Sequence, residues 1–164
     1  MAELVDSGVR KDFGTGAVRE IVDGKGREDL LPLDIIARFT KDDILLKLDT
    51  FRNEKRDLNL LWEAYELFAI RRYGDDYPNG VDYLATSFLE VSKQYEDGAR
   101  KYADDNWRKG ISTHCYLDSA IRHYFKWLRG DKDEPHDRAF MWNILSLIWT
   151  LVHVPSVDDL PKLD

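Results

Sequence analysis

Ala139-Phe140-Met141-Trp142-Asn143-Ile144-Leu145-Ser146-Leu147-Ile148-Trp149-Thr150-Leu151-Val152 is apolar nearly all round, broken only by Asn143, Ser146 and Thr150. A helix with no polar face has to sit in the middle of a bundle, so this stretch sets the fold class. Pro135 suits the first turn of that helix, and the acid-rich Asp131 to Glu134 forms the turn before it. Upstream, a helix beginning near Ser112 carries Tyr116, Ala120, Tyr124 and Trp127 on one stripe and stops at Gly130. Before it, Leu84, Phe88, Val91 and Tyr95 mark one face of a helix from about Val81 to Tyr102, followed by a loop around Asp104 to Gly110. The loop Tyr73 to Gly80 is the strongest break in the chain, and it ends a helix capped by Asp57 with Leu58, Leu61, Trp62, Tyr65, Phe68 and Ala69 inward. Two short helices precede it: one around Asp34 to Phe39, one after a cap at Thr40 through Ile44, Leu45, Leu48 and Phe51. Gly8, Gly14, Gly16, Gly24 and Gly26 interrupt any helical period before residue 30. The expected fold is therefore all-α: a helical bundle of about five to six helices with an irregular N-terminal arm over residues 1–30.

The 164 residues, 43% of them hydrophobic, suffice for a single domain with its own core. No stretch approaches the roughly 20 apolar residues that span a bilayer, and the first twenty residues hold no apolar export segment, so no membrane partner is expected. Cys115 is the lone cysteine and cannot form an intrachain disulfide, which points to a reducing, cytoplasmic setting. Asp and Glu outnumber Lys and Arg 31 to 24, for a net charge of -7. Such a chain has no long-range attraction for duplex nucleic acid. A polyanion would have to be met by a local basic cluster or through bound metal, which favours a small phosphorylated ligand.

Four clusters hold the chemistry. Gly24-Lys25-Gly26-Arg27 sets two cations among glycines, as a phosphate-binding loop or as a flexible basic loop. Glu96, Gly98, Ala99, Lys101, Tyr102, Asn106, Trp107 and Gly110 mix carboxylate, cation, amide and flat ring, the residue types of a nucleotide site, though a capped helix end would also explain them. Asp118 and Arg122 are four apart and can pair on one helix face, with His123 one position round. Asp131, Asp133, Glu134, His136 and Asp137 crowd five possible metal ligands into seven residues; helix-dipole complementarity accounts for part of this, and less well for His136. Glu134 and Asp137, three apart, would point to one side of the first helical turn, and Asn143 follows His136 by seven on nearly the same face.

Taken in order, Gly16-Ala17-Val18-Arg19, Gly24 to Pro32, Tyr95 to Tyr102, Asn106 to Ile111, Asp118 to His123, and His136 with Ala139 and Trp142-Asn143 resemble the N-terminal domain of phage-type dATP/dGTP diphosphohydrolases, a group compared with the MazG-like all-α nucleotide pyrophosphatases. The resemblance covers residues 16 to 32 and 88 to 152; about 33–87 reads as a helical insertion and 88–153 as the core helices. It implies hydrolysis of dATP or dGTP to monophosphate and pyrophosphate with Mg²⁺ or Mn²⁺, in a phage- or prophage-encoded protein of the bacterial cytoplasm. It places Glu96, Glu134 and His136 as catalytic residues, with Asp133 and Asp137 beside them at the metal. Lys25, Arg27, Lys101 and Arg122 fall at the phosphates, Asn106, Trp107 and Asn143 near the base or as scaffold, and Arg19 and His123 are further substrate-binding residues. MazG-like enzymes are similar to one another in a Glu-x-x-Glu helix followed closely by Glu-x-x-Asp. Here Glu134 to Asp137 matches the second pattern, and Glu63-Ala64-Tyr65-Glu66 matches the first only at a far longer separation. The competing readings are a non-catalytic helical module that holds a nucleotide or protein, and a structural protein. Aromatic positions such as Trp62 and Trp149 lead to the expectation of a homodimer or higher homo-oligomer.

Overall fold

A computed structural model describes residues 8–20, 24–76 and 82–164, so what was expected of 1–7, 21–23 and 77–81 lies outside the described residues. Among the described residues six α-helices carry the fold: α1 Leu33–Thr40, α2 Asp43–Asn53, α3 Leu58–Tyr73, α4 Asp82–Lys101, α5 Thr113–Arg129 and α6 His136–His153. α6 packs against α3, α4 and α5 at once, the central place its all-round apolarity demands. Phe140 on α6, wholly buried, meets Phe68 of α3 at 4.5 Å between ring centres and Tyr124 of α5 at 5.5 Å. Each such ring contributes about 1.5–3 kcal/mol by leaving water, and together they tie three helices to one centre. No helix among the described residues is long and apolar enough to cross a membrane.

The helix ends follow local chemistry. Asp57 caps α3 by accepting from the Asn59 N–H, and Gly130 closes α5 in the left-handed conformation at φ +85°. α2 departs from expectation: its cap is Asp42, which accepts from the Leu45 N–H. Thr40 instead ends α1 with its hydroxyl bonded back to the Ile36 carbonyl, because Lys41 turns left-handed one residue later. On α4, Val91 is buried and Leu84 and Tyr95 pack against the core as expected, but the buried face is turned slightly from the expected one. Ser87, Val91 and Gln94 are buried, while Phe88 lies at the margin and stacks on Trp62 and Tyr65.

The N-terminal arm is more ordered than its glycines suggest. β1 Arg10–Asp12 and β2 Val18–Glu20 pair antiparallel with Lys11 opposite Arg19. Gly14 and Gly16, at φ +72° and +89°, supply the turn that the same residues deny to a helix. The hairpin then docks on the bundle. Asn106, in a short 3-10 turn Asn106–Lys109 after α4, accepts from the Val18 N–H at 3.0 Å and donates to the Val18 carbonyl at 2.9 Å. Thr15 adds a bond to the Gly110 carbonyl.

Candidate active site

A cleft of about 460 Å³ opens between β2, the end of α4, the 106–109 turn, α5 and the start of α6. Of the residues singled out in the sequence, Arg19, Lys25, Lys101, Asn106, Trp107, Arg122, His123, Glu134 and Asn143 line it. Each reaches it for a local reason. On α5, Ser119, Arg122, His123 and Lys126 recur at i, i+3, i+4 and i+7, so one polar stripe of an otherwise buried helix faces the cavity. On α4, Gln94, Gly98 and Lys101 do the same. The lining carries six cations, Arg19, Lys25, Lys101, Arg108, Arg122 and Lys126, against four acids, Glu20, Asp104, Asp105 and Glu134. A chain of net charge -7 thus turns a locally positive surface into one cavity.

The basic groups are held, not loose. Arg122, 7% exposed, donates to the Gly26 carbonyl and to Asp118, and lies 3.0 Å from Glu28. The Glu28 N–H donates to Asp118 at 2.7 Å, which fastens the segment after Gly24 onto α5. Arg19 donates to Asn143 Oδ1 at 3.0 Å and spreads its guanidinium over the Tyr116 and Trp142 rings. Arg19 Nη1 and Arg122 Nε are buried with no hydrogen-bond partner among the described residues. Glu20 bridges Lys101 and Lys25.

At the cleft's edge sits a histidine pair. His136 Nε2 lies 2.7 Å from Asp133 Oδ1, and its Nδ1 lies 2.8 Å from Nδ1 of His123. The bond to His136 holds the Asp133 carboxyl below its usual range. Burial, and then the neighbouring His136, Arg19, Lys126 and Arg122, push His123 well below the ordinary imidazole value, so its ring is neutral at pH 7. One ligand atom each from His123, Glu134 and His136 come within 4.8 Å of one another, and Asp131, Asp133 and His136 form a second such group. Two imidazoles and a carboxylate, with a further carboxylate orienting one ring from behind, is a donor set that fits a divalent cation.

Five expected site residues do not line the cleft with the rest: His136 is buried at its edge against His123, and the other four point elsewhere. Glu96 is 61% exposed on the outer side of α4, ion-paired with Arg100; two positions from Gln94, it faces away from the cavity. Asp137 turns to α3 and pairs with Arg72 at 3.0 Å. It does not share a helical turn with Glu134, because α6 begins only at His136 and Glu134 lies ahead of it. Arg27 grips Asp29 through two bonds and lines a separate, smaller pocket with Arg52, His114 and Asp159. Asp133 stands behind His136, its side chain 58% exposed. Trp62 and Trp149, expected to be exposed, are half-buried, Trp62 stacked on Tyr65 and Trp149 edge-on to Trp107. Gln94, Ser119 and Lys126 were not singled out, although the helical spacing of Ser119 and Lys126 around Arg122 and His123 was there to be read.

Comparison with known proteins adds one finding. The family model described as dATP/dGTP diphosphohydrolase, N-terminal, matches residues 78–160, just over half of the chain, and spans α4, α5, α6 and their share of the cleft. Arg19 and Lys25 lie outside the matched span. No curated protein and no solved structure matches. With its bundle, its cleft and this match in hand, the chain belongs to the dATP/dGTP diphosphohydrolase N-terminal family.

Proposed function

We propose that the protein hydrolyses purine deoxynucleoside triphosphates to the monophosphate and pyrophosphate within this cleft. The observation that carries the reading is the meeting, in one cavity of an acidic protein, of six basic side chains with His123 and Glu134, which cluster with the buried His136 at the cavity's edge. Polyphosphate needs the first and its hydrolysis is served by the second. In the reaction a water oxygen bonds to the α-phosphorus and the bond to the bridging oxygen breaks. Pyrophosphate leaves with that electron pair, and the proton of the attacking water passes to solvent.

His123, His136 and the Glu134 carboxylate would hold a divalent cation in place of the proton the two rings share, with Asp133 fixing the His136 ring. When bound, that cation supplies charge neutralisation and polarisation at the phosphates. Two nitrogens beside one oxygen suit Mn²⁺ better than Mg²⁺, whose preferred ligands are all oxygen. Arg122, Lys25, Lys101 and Lys126 neutralise the β- and γ-phosphates and the leaving group, and the unpartnered Arg19 Nη1 adds a donor on the far wall. Tyr95 and Trp142, whose rings lie 5.9 Å apart, give the flat apolar wall a base requires.

The test is incubation with each deoxy- and ribonucleoside triphosphate in Mn²⁺ or Mg²⁺, with chromatographic scoring of monophosphate and pyrophosphate. Calorimetric titration of Mn²⁺ alone accompanies it, for the protein and for its Glu134→Gln, His123→Ala and His136→Ala variants. Purine deoxynucleotide turnover, lost with metal binding in the variants, supports the proposal. Nucleotide binding without turnover in either metal replaces it with a non-catalytic module.

A further inference from the structure

Three carboxamides line the cleft, and two of them are already committed to the protein. Asn106 spends its oxygen and its nitrogen on the Val18 backbone. Asn143 accepts from Arg19 and donates to the Ala139 carbonyl at 2.8 Å. Gln94 differs. Its side chain makes no hydrogen bond among the described residues, it is 6% exposed, and its Oε1 is sealed from water without a partner. A buried amide left unpaired costs free energy on the order of 1–3 kcal/mol, a cost that a ligand or an ordered water removes. Because neither amide atom is bonded, rotation about the terminal bond exchanges oxygen and nitrogen freely, and either can be turned to the cavity.

The space beside Gln94 is shaped for a flat ring. Gly98 lies one turn on along the same face of α4, and a Cβ added there would meet nothing within 4 Å. Tyr95 and Trp142 complete the neighbouring wall. The phosphate-binding cations Arg122 and Lys126 come from α5, on another side of the cavity.

We infer that Gln94 is the residue that hydrogen-bonds the base edge of the nucleotide, an inference that rests on the proposed purine nucleotide site. A carboxamide offers one acceptor and one donor. Adenine answers with its exocyclic N–H and N1; guanine answers with N1–H and O6, and the freely turning amide accommodates both. A carboxylate at the same place offers acceptors only. It matches the two adjacent donors of guanine, N1–H and the exocyclic amine, and meets the N1 lone pair of adenine with repulsion.

The experiment is calorimetric binding of the non-hydrolysable α,β-methylene analogues of dATP and dGTP, beside inorganic tripolyphosphate as the probe without a base, for the wild type, Gln94→Leu and Gln94→Glu. The expected result is a loss of roughly tenfold or more in affinity for both analogues in Gln94→Leu, with tripolyphosphate affinity and Tm retained. Gln94→Glu keeps the dGTP analogue and loses the dATP analogue. The inference is overturned if Gln94→Leu binds the analogues like wild type. Parallel loss of tripolyphosphate, or a lowered Tm, also overturns it, since either marks a structural role. So does equal weakening of both analogues in Gln94→Glu, or a wild type that binds them no better than tripolyphosphate. Base reading that depends on Gln94 in a protein that hydrolyses no triphosphate leaves this inference standing and removes the proposed reaction.

Discussion

Arg122→Met tests how the cleft is held together, because this guanidinium is both a wall of the cavity and the buried centre of an acidic cluster. Its side chain is 8% exposed and that of Asp118 2%, with Glu28 at 3.0 Å and the Gly26 carbonyl at 3.1 Å. Methionine fills much of the same volume and removes the charge, which leaves Asp118 and Glu28 buried together. Breaking a buried pair of this kind costs about 3 kcal/mol or more, a fall in Tm of about 6–12 °C for a chain of this size. The loss has a pH signature. Burial already raises the Asp118 pKa above 3.8, and the Arg122 charge opposes that rise. Without Arg122 the carboxyl rises further, so the native state binds a proton that the unfolded chain does not. Stability of the variant then increases as pH falls through the raised value, and the Tm deficit at pH 8 exceeds that at pH 5. Thermal unfolding followed by circular dichroism at the two pH values measures it, with the Asp118→Asn, Arg122→Met double variant as control. The double variant should lose less than Arg122→Met alone at pH 8, because it buries no unpaired charge from this pair. A deficit below 2 °C, or one that is the same at both pH values, refutes the reasoning.

Three further outcomes follow from the same geometry. Gly98→Leu should raise Tm slightly, since leucine outranks glycine in a helix by about 0.8 kcal/mol, while cutting nucleotide affinity at least tenfold by filling the cleft; unchanged affinity in a titration would place the ligand elsewhere. Gly110→Ala puts a Cβ at φ +111° within 3.2 Å of Val157 and 3.3 Å of Val154, and a fall in Tm on the order of 5 °C is expected, read by calorimetry. His114 is raised above 6.5 by its contact with Cys115 Sγ, against burial, and by Asp159; Asp159, despite burial, is held below 3.8 by the His114 N–H and ring and by Thr113. The imidazole's share of the stability is therefore complete below pH 6.5 and fades as pH rises through its raised value, while the carboxylate's share is complete above pH 3.8 and fades in acid. The Tm difference between wild type and Asp159→Asn should accordingly be largest between pH 3.8 and 6.5 and shrink as pH rises through the raised His114 value, and a difference that grows above pH 6.5 would contradict the pairing.

The bundle was legible because its cause is local. An all-round apolar run from Ala139 to Val152 has nowhere to go but a centre, and caps such as Asp57 and Gly130 act within a few residues of where they stand. The α5 residues of the site were legible for the same reason: Arg122 and His123 share a polar stripe on a buried helix. The resemblance drawn from Tyr95 to Asn143 falls within the span that the family model matches.

What a sequence states weakly is rotation and distance. Glu96 and Gln94 stand two positions apart on α4, both polar, and only the packing of that helix decides that the carboxylate faces water and the amide faces the cleft. Asp137 looked like a metal ligand until Arg72, 65 residues away, claimed it. The hairpin β1–β2 has too few residues to order itself, and it stands because Asn106 and the Gly110 carbonyl, 88 and 95 residues on, satisfy its backbone and its turn. Sequence alone determined which stretches are helical, which helix is central and, to within a few residues, where most helices end, since hydrophobic period and capping are short-range. Tertiary structure alone decided which polar groups meet, since that depends on how far each helix is turned about its axis and on bonds between segments the chain order keeps apart.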